Sequence, residues 1–114
     1  MRRLPPTKCR MLIALMVGWI VWVQASKRDL DLSGPRTSEW FQATTGGTYP
    51  TRDECERVLA IQADALEIIL KKRDPEAKRH DKAILSHDAS YLYSHEFFCL
   101  PDTTDPRGPK GSGR

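Results

Sequence analysis

The sequence predicts a small α+β domain: one long amphipathic helix packed on a two- or three-stranded sheet and stapled by a single disulfide. Three observations predict it. The stretch Thr51–Arg73 carries a helix cap, an apolar side and charges arranged to suit a helix dipole. The run YLYSHEFFCL, Tyr91–Leu100, alternates in the manner of a strand. Two cysteines, Cys55 and Cys99, remain once an apolar N-terminal segment is set aside. Only about 60 residues then look foldable, and a core of that size is marginal without a covalent tie.

The chain begins with a segment that reads as an export signal. Met11–Val23, MLIALMVGWIVWV, is uncharged. A bilayer-spanning helix needs about 20 apolar residues, whereas a signal-peptide core needs roughly 7–15. Arg2, Arg3, Lys8 and Arg10 precede the run with no acidic residue among them, which is the positive region of a leader. Val23-Gln24-Ala25 offers modest side chains where a signal peptidase must admit them, so cleavage is expected between Ala25 and Ser26. Residues 1–25 are accordingly expected to be a signal peptide, and the location periplasmic or secreted. The membrane is then met only during export. The alternative is an uncleaved inner-membrane anchor facing the periplasm, with Trp19 and Trp22 as interfacial residues. Cys9 precedes the apolar run and so is not a lipoprotein cysteine; it leaves with the leader.

Charge excludes one class of partner. The whole chain has 18 Lys+Arg against 15 Asp+Glu, net +3. Four of those basic residues and no acidic ones lie in 1–25, which leaves 14 against 15, net −1. A nucleic-acid binder shows a concentrated basic face, and here the signs are mixed almost throughout. The chain contains no asparagine, so N-glycosylation is excluded.

In an oxidising compartment the even pair Cys55 and Cys99 reads as one disulfide. The two stand 44 positions apart, and closing a loop of that length contributes on the order of 4 kcal/mol. There is no Cys-x-x-Cys pair, which thiol–disulfide exchange and c-type haem attachment both use. No cofactor is expected.

Residues 26–37, SKRDLDLSGPRT, mix charges around Gly34-Pro35 and are expected to be a linker. The folded domain is expected over 38–100. Ser38–Thr45 carries Trp40 and Phe41 among threonines and reads as a strand, broken at Gly46-Gly47. Thr48-Tyr49 is either a second short stretch or part of a loop crossing to the helix. Thr51-Arg52-Asp53-Glu54 then fits a capping box. At 100° per residue Cys55, Val58, Leu59, Ile61, Ala65, Leu66, Ile68 and Ile69 share one broad side. Asp74-Pro75-Glu76 ends the helix and is expected to cap a second, short one that ends near Ser86. The closing strand, from about Ser94, places His95, Phe97 and Cys99 on one face and Glu96, Phe98 and Leu100 on the other. If the first face meets the helix, Cys99 reaches Cys55. The ending PDTTDPRGPKGSGR, residues 101–114, has no large apolar residue and is expected to be disordered.

A tryptophan strand, the capped "TRDECE" and the ending "CLPDTTDPRGPKG" together resemble a recurring pattern in small uncharacterised exported bacterial proteins. The resemblance runs in outline from Trp40 to Gly111, and the ending is its most specific part. It implies a bacterial envelope or secreted location and pairing of Cys55 with Cys99. It brings no catalytic residue with it.

Each of the three histidines precedes an acid: His80-Asp81, His87-Asp88 and His95-Glu96. A histidine/carboxylate metal-binding protein or small enzyme built on these is the competing expectation, although the close His-x-x-x-His pair of many metal sites is absent. Ser86-His87-Asp88 and Ser94-His95-Glu96 mimic triads only on paper, because adjacent side chains diverge. No catalytic residue is expected. The leading expectation is a non-enzymatic structural or interaction module of the cell envelope. Its helix side spans more than a small sheet covers, so the excess is expected to meet a protein partner or a second copy.

Overall fold

A computed structural model describes residues 18–43 and 47–108. Five strands form one antiparallel sheet: β1 (Trp19–Asp29), β2 (Thr37–Gln42), β3 (Lys78–His80), β4 (Ala83–His87) and β5 (Tyr91–Pro101). Their order is β2-β1-β5-β4-β3, and the one helix among the described residues, α1 (Arg52–Arg73), packs on one face.

Residue alternation along β1 decides what each face receives. Val21 and Val23 point toward α1 and join Cys55, Leu59, Ala63, Ile84, Phe97 and Cys99 in the core. Trp22 therefore points to the opposite face, and it too is buried. The register matches like with like: Val21 stands opposite Cys99, Trp22 opposite Phe98 and Val23 opposite Phe97. On the face away from α1, Trp40 tilts against Phe98 with ring centroids 5.2 Å apart.

Helix α1 starts as its sequence dictates. The Thr51 hydroxyl accepts from the Glu54 amide at 3.1 Å, while the Glu54 side chain turns to Arg57 instead of reaching back. Cys55 and Cys99 are joined, with their Cα atoms 6.1 Å apart, inside the usual span for a disulfide. The bond ties the first turns of the helix to the middle of the sheet.

Several expectations need correction. Among the described residues the sheet has five strands, not two or three. No second helix follows Asp74 among the described residues. Instead Lys78–His80 and Ala83–His87 pair as a hairpin around Asp81-Lys82, with Asp81 at φ 57°, a region aspartate tolerates better than most residues. Ile84 and Ser86 point inward and Leu85 outward, a period of two that the short run hid. Ser26–Asp29, expected to begin a linker, complete β1. The sheet thus takes in residues before Ser38, from Trp19 onward.

The bond expected to be cut, Ala25–Ser26, lies within β1. Cleavage there removes Val21, Trp22 and Val23 from β1, the strand between β2 and the central β5, and with them part of the buried core. The basic region, Cys9 and residues 11–17 lie outside the described residues, as do Thr44–Gly46 and the tail beyond 108. No helix among the described residues is long and apolar enough to cross a membrane.

The start of the tail is also built into the fold. Asp102 exchanges two bonds with Gly18, its amide donating to the Gly18 carbonyl at 2.7 Å and its carboxylate accepting from the Gly18 amide at 3.2 Å. Asp105 holds the Arg107 guanidinium through both nitrogens it reaches, at 2.8 Å each. That guanidinium lies 5.0 Å from the centre of the Trp22 ring. The turn closes a surface the helix does not reach.

Candidate functional site

Two features stand out once the core is accounted for. The first is the outer side of α1. Only part of the broad apolar side is used: Cys55, Leu59 and Ala63 are buried, with Val58, Leu66 and Leu70 packed at the edge. Ile61, Ile68 and Ile69 are 58%, 61% and 50% exposed. Arg57, Ile61, Ala65, Ile68 and Lys72 follow spacings of three and four and line one outward stripe. Ala63, which the sequence reading left off the apolar side, is buried. Its neighbours Asp64 and Gln62 obscured it.

Both ends of α1 are fixed. Cys55–Cys99 holds the first turns. Toward the far end Arg79, from the β3–β4 hairpin, bonds Asp64 and also Glu67, the latter at 3.2 Å. The carboxylates of Asp64 and Glu67 hold the guanidinium more firmly protonated than usual.

The second feature lies at the C-terminal end of α1. Asp74 caps the helix, its amide donating to the Leu70 carbonyl at 2.8 Å. Its buried carboxylate accepts from the Glu76 amide at 3.0 Å and from the His87 amide at 2.8 Å. His87 Nδ1 lies 2.9 Å from the same Oδ2 atom. Burial opposes ionisation of Asp74, but the two amides and the imidazole outweigh it and hold the carboxyl below its ordinary range. On the other side of the ring, Nε2 stands 3.7 Å from Glu76 Oε1. Asp74, Glu76 and His87 thus bring a ligand atom each within 4.8 Å of one another.

The three histidines do not converge. His80 ends β3 and is exposed. His95 sits on β5 opposite Ala25 and Ile84, and burial pushes its imidazole below the ordinary histidine range. The triad look-alikes also separate. His87 takes Asp74 rather than Asp88, and Asp88 accepts from the Tyr93 hydroxyl at 2.7 Å and from the Ser90 and Tyr91 amides. Sequence reasoning did not join His87 to Asp74 and Glu76. The available signal is Asp-Pro-Glu at a helix end, a pattern that equally suits the start of another helix, while the hairpin that brings His87 back leaves no local mark in the sequence.

No protein family, curated protein or solved structure matches the chain. The disulfide and the described fold are compatible with a periplasmic or extracellular location.

Proposed function

We propose that this protein is a small exported, non-enzymatic interaction module of the bacterial cell envelope, and that it works by pairing α1 with the α1 of a second copy. The observation that carries this reading is the outward stripe, where Ile61 and Ile68 are each more than half exposed on a helix anchored at both ends. Fully burying one such side chain is worth about 1.5–3 kcal/mol, so leaving both in water favours an occupant.

Charge selects the occupant. Asp53 and Glu54 lie in the first turn of α1, and Lys71, Lys72 and Arg73 in its last. An antiparallel pair sets the acidic end of each helix against the basic end of the other, twice by symmetry, and opposes the two helix dipoles favourably. A second copy therefore supplies both the apolar stripe and the complementary charges. A helix of 22 residues is about 33 Å long at ~1.5 Å per residue. Such a contact is small beside the ~1,200–2,000 Å² of stable complexes, so the association is expected to be concentration-dependent.

Export is supported by the disulfide, which persists in oxidising compartments, and by the basic and apolar N-terminal residues. A leader that ends before Gly18 is compatible with the fold.

Sedimentation across a wide concentration range tests the pairing. The native chain is expected to shift from monomer toward dimer, and Ile68→Lys to remain monomeric with an unchanged circular dichroism spectrum, because the site is exposed. A native chain that stays monomeric at millimolar concentration removes the reading.

A further inference from the structure

We infer that His87 Nε2 and the Glu76 carboxylate form a binding site for one divalent transition-metal cation of the zinc class, with Asp74 as the outer partner that orients the imidazole. The site is independent of any pairing through α1.

The inference starts from the proton on the ring. Asp74 Oδ2 is an acceptor already held by the His87 amide, and Oδ1 of the same carboxylate takes the Glu76 amide. His87 Nδ1, 2.9 Å away, therefore carries the hydrogen. With Nδ1 holding that hydrogen, Nε2 is the ring nitrogen whose lone pair a metal can take. Glu76 Oε1, an oxygen donor atom, stands 3.7 Å from Nε2. A metal cation placed between these two atoms finds a donor atom on each side.

The separation suits a metal. Zinc binds imidazole nitrogen and carboxylate oxygen at about 2.0–2.2 Å. Two such arms reach across about 4.0–4.4 Å, so one ion touches both atoms without backbone movement. A histidine ligand that donates its second ring nitrogen to a carboxylate is the usual arrangement at metal centres, because it fixes the tautomer and raises ligand basicity. Here Asp74 plays that part from a buried position fixed by the helix cap. Imidazole with one carboxylate suits zinc, copper or nickel better than calcium or magnesium, which prefer all-oxygen shells.

Access and competition are both visible. Glu76 is 80% exposed, and with His87 it lines an open depression of about 480 Å³ together with Pro75, Ala77 and Lys78. Solvent water is free to complete the coordination. Lys78 lines the same depression, and its charge opposes a second cation, which gives the proposal a variant of opposite sign.

The experiment is a titration of the full-length, disulfide-bonded chain with zinc chloride near neutral pH, followed by imidazole nitrogen NMR. His80, exposed at the end of β3, is the internal reference for a lone histidine. The Nε2 resonance of His87 is expected to respond at a lower zinc concentration than either nitrogen of His80. Glu76→Gln, at an exposed position that leaves the fold intact, should weaken the His87 response by roughly tenfold or more, the scale of losing even an outer partner of a metal ligand. Lys78→Gln should strengthen it. Parallel responses of His80 and His87, or a His87 response unchanged in Glu76→Gln, overturns the proposal. If His87→Gln disturbs the hairpin, the Glu76 and Lys78 variants still decide it.

Discussion

A chain that begins at Ser26 should not fold, whereas one that begins at Gly18 should. The first lacks Trp19–Ala25, the half of β1 that carries Val21, Trp22 and Val23, all at or below 2% exposure. At about 1.5–3 kcal/mol for each fully buried side chain, the loss is about 5–9 kcal/mol, an upper figure because a real unfolded chain already hides some of this surface. It also leaves Glu39–Gln42 of β2 and the His95–Pro101 part of β5 without their β1 partner. Domains of this size hold together by about 0.05–0.15 kcal/mol per residue, on the order of 5–14 kcal/mol in all. The disulfide remains in the shorter chain, but its few kcal/mol act on the unfolded ensemble and restore no core. Urea unfolding followed by circular dichroism distinguishes the two chains: a cooperative transition is expected only for the longer one. In native material, mass spectrometry of the folded protein should find an N-terminus at or before Gly18. A cooperative transition in the Ser26 chain, or folded native protein starting at Ser26, refutes the claim that β1 is indispensable.

Two further outcomes follow from the outer face and the helix end. Arg107→Ala uncovers the Trp22 ring; its fluorescence should shift to the red and quench more readily with iodide, with a stability cost of about 0.5–2 kcal/mol, and unchanged emission would mean that the tail does not cover that ring. Acid should weaken the fold in two stages. His95, whose folded pKa is depressed, takes up its proton in the unfolded chain first, so stability falls as pH drops below about 6.5. Asp74 is also depressed when folded, so its contribution is complete above about pH 3.9 and is lost as pH falls toward its folded value. Asp74→Asn should flatten the lower stage and spare the upper one, as read from urea midpoints across pH; an unchanged lower stage would show that other carboxyls govern it.

How much of this was legible depended on whether a signal was local. The helix was, because Thr51, the acidic first turn and the basic last turn all lie within one segment and act on it alone. The alternation of Phe97 and Cys99 against Phe98 and Leu100 was legible for the same reason, although the strand extends three residues further toward Tyr91 than the aromatic pattern indicated. β1 was not legible. Its WIVWV continues MLIALMV without a charge or a turn, and a run apolar on both faces looks the same whether it is a leader core or a strand buried on both sides. The alternation that identifies most antiparallel strands is absent because Val21 and Val23 face the helix while Trp22 faces the closing turn. The β3–β4 hairpin was lost to its brevity, three and five residues around Asp81-Lys82. The tail's order was hidden because it depends on Arg107 meeting Trp22, residues 85 positions apart in the chain.

These corrections change how α1 presents itself. On a two-stranded sheet the helix would be a lid with freedom to rock, and its exposed isoleucines would be a surplus of a small core. On five strands it is fixed at one end by Cys55–Cys99 and at the other by Asp74 and Arg79, with the hairpin as the second anchor. A helix held in that way loses little further freedom when its outer side meets a partner, and low ordering cost is what allows a small contact to bind at all. A cation between His87 and Glu76 would tighten the same anchor, because Glu76 follows the helix cap and His87 ends β4. The outward stripe and the helix-end node are therefore separable by experiment yet mechanically joined: one presents the surface, and the other holds it still.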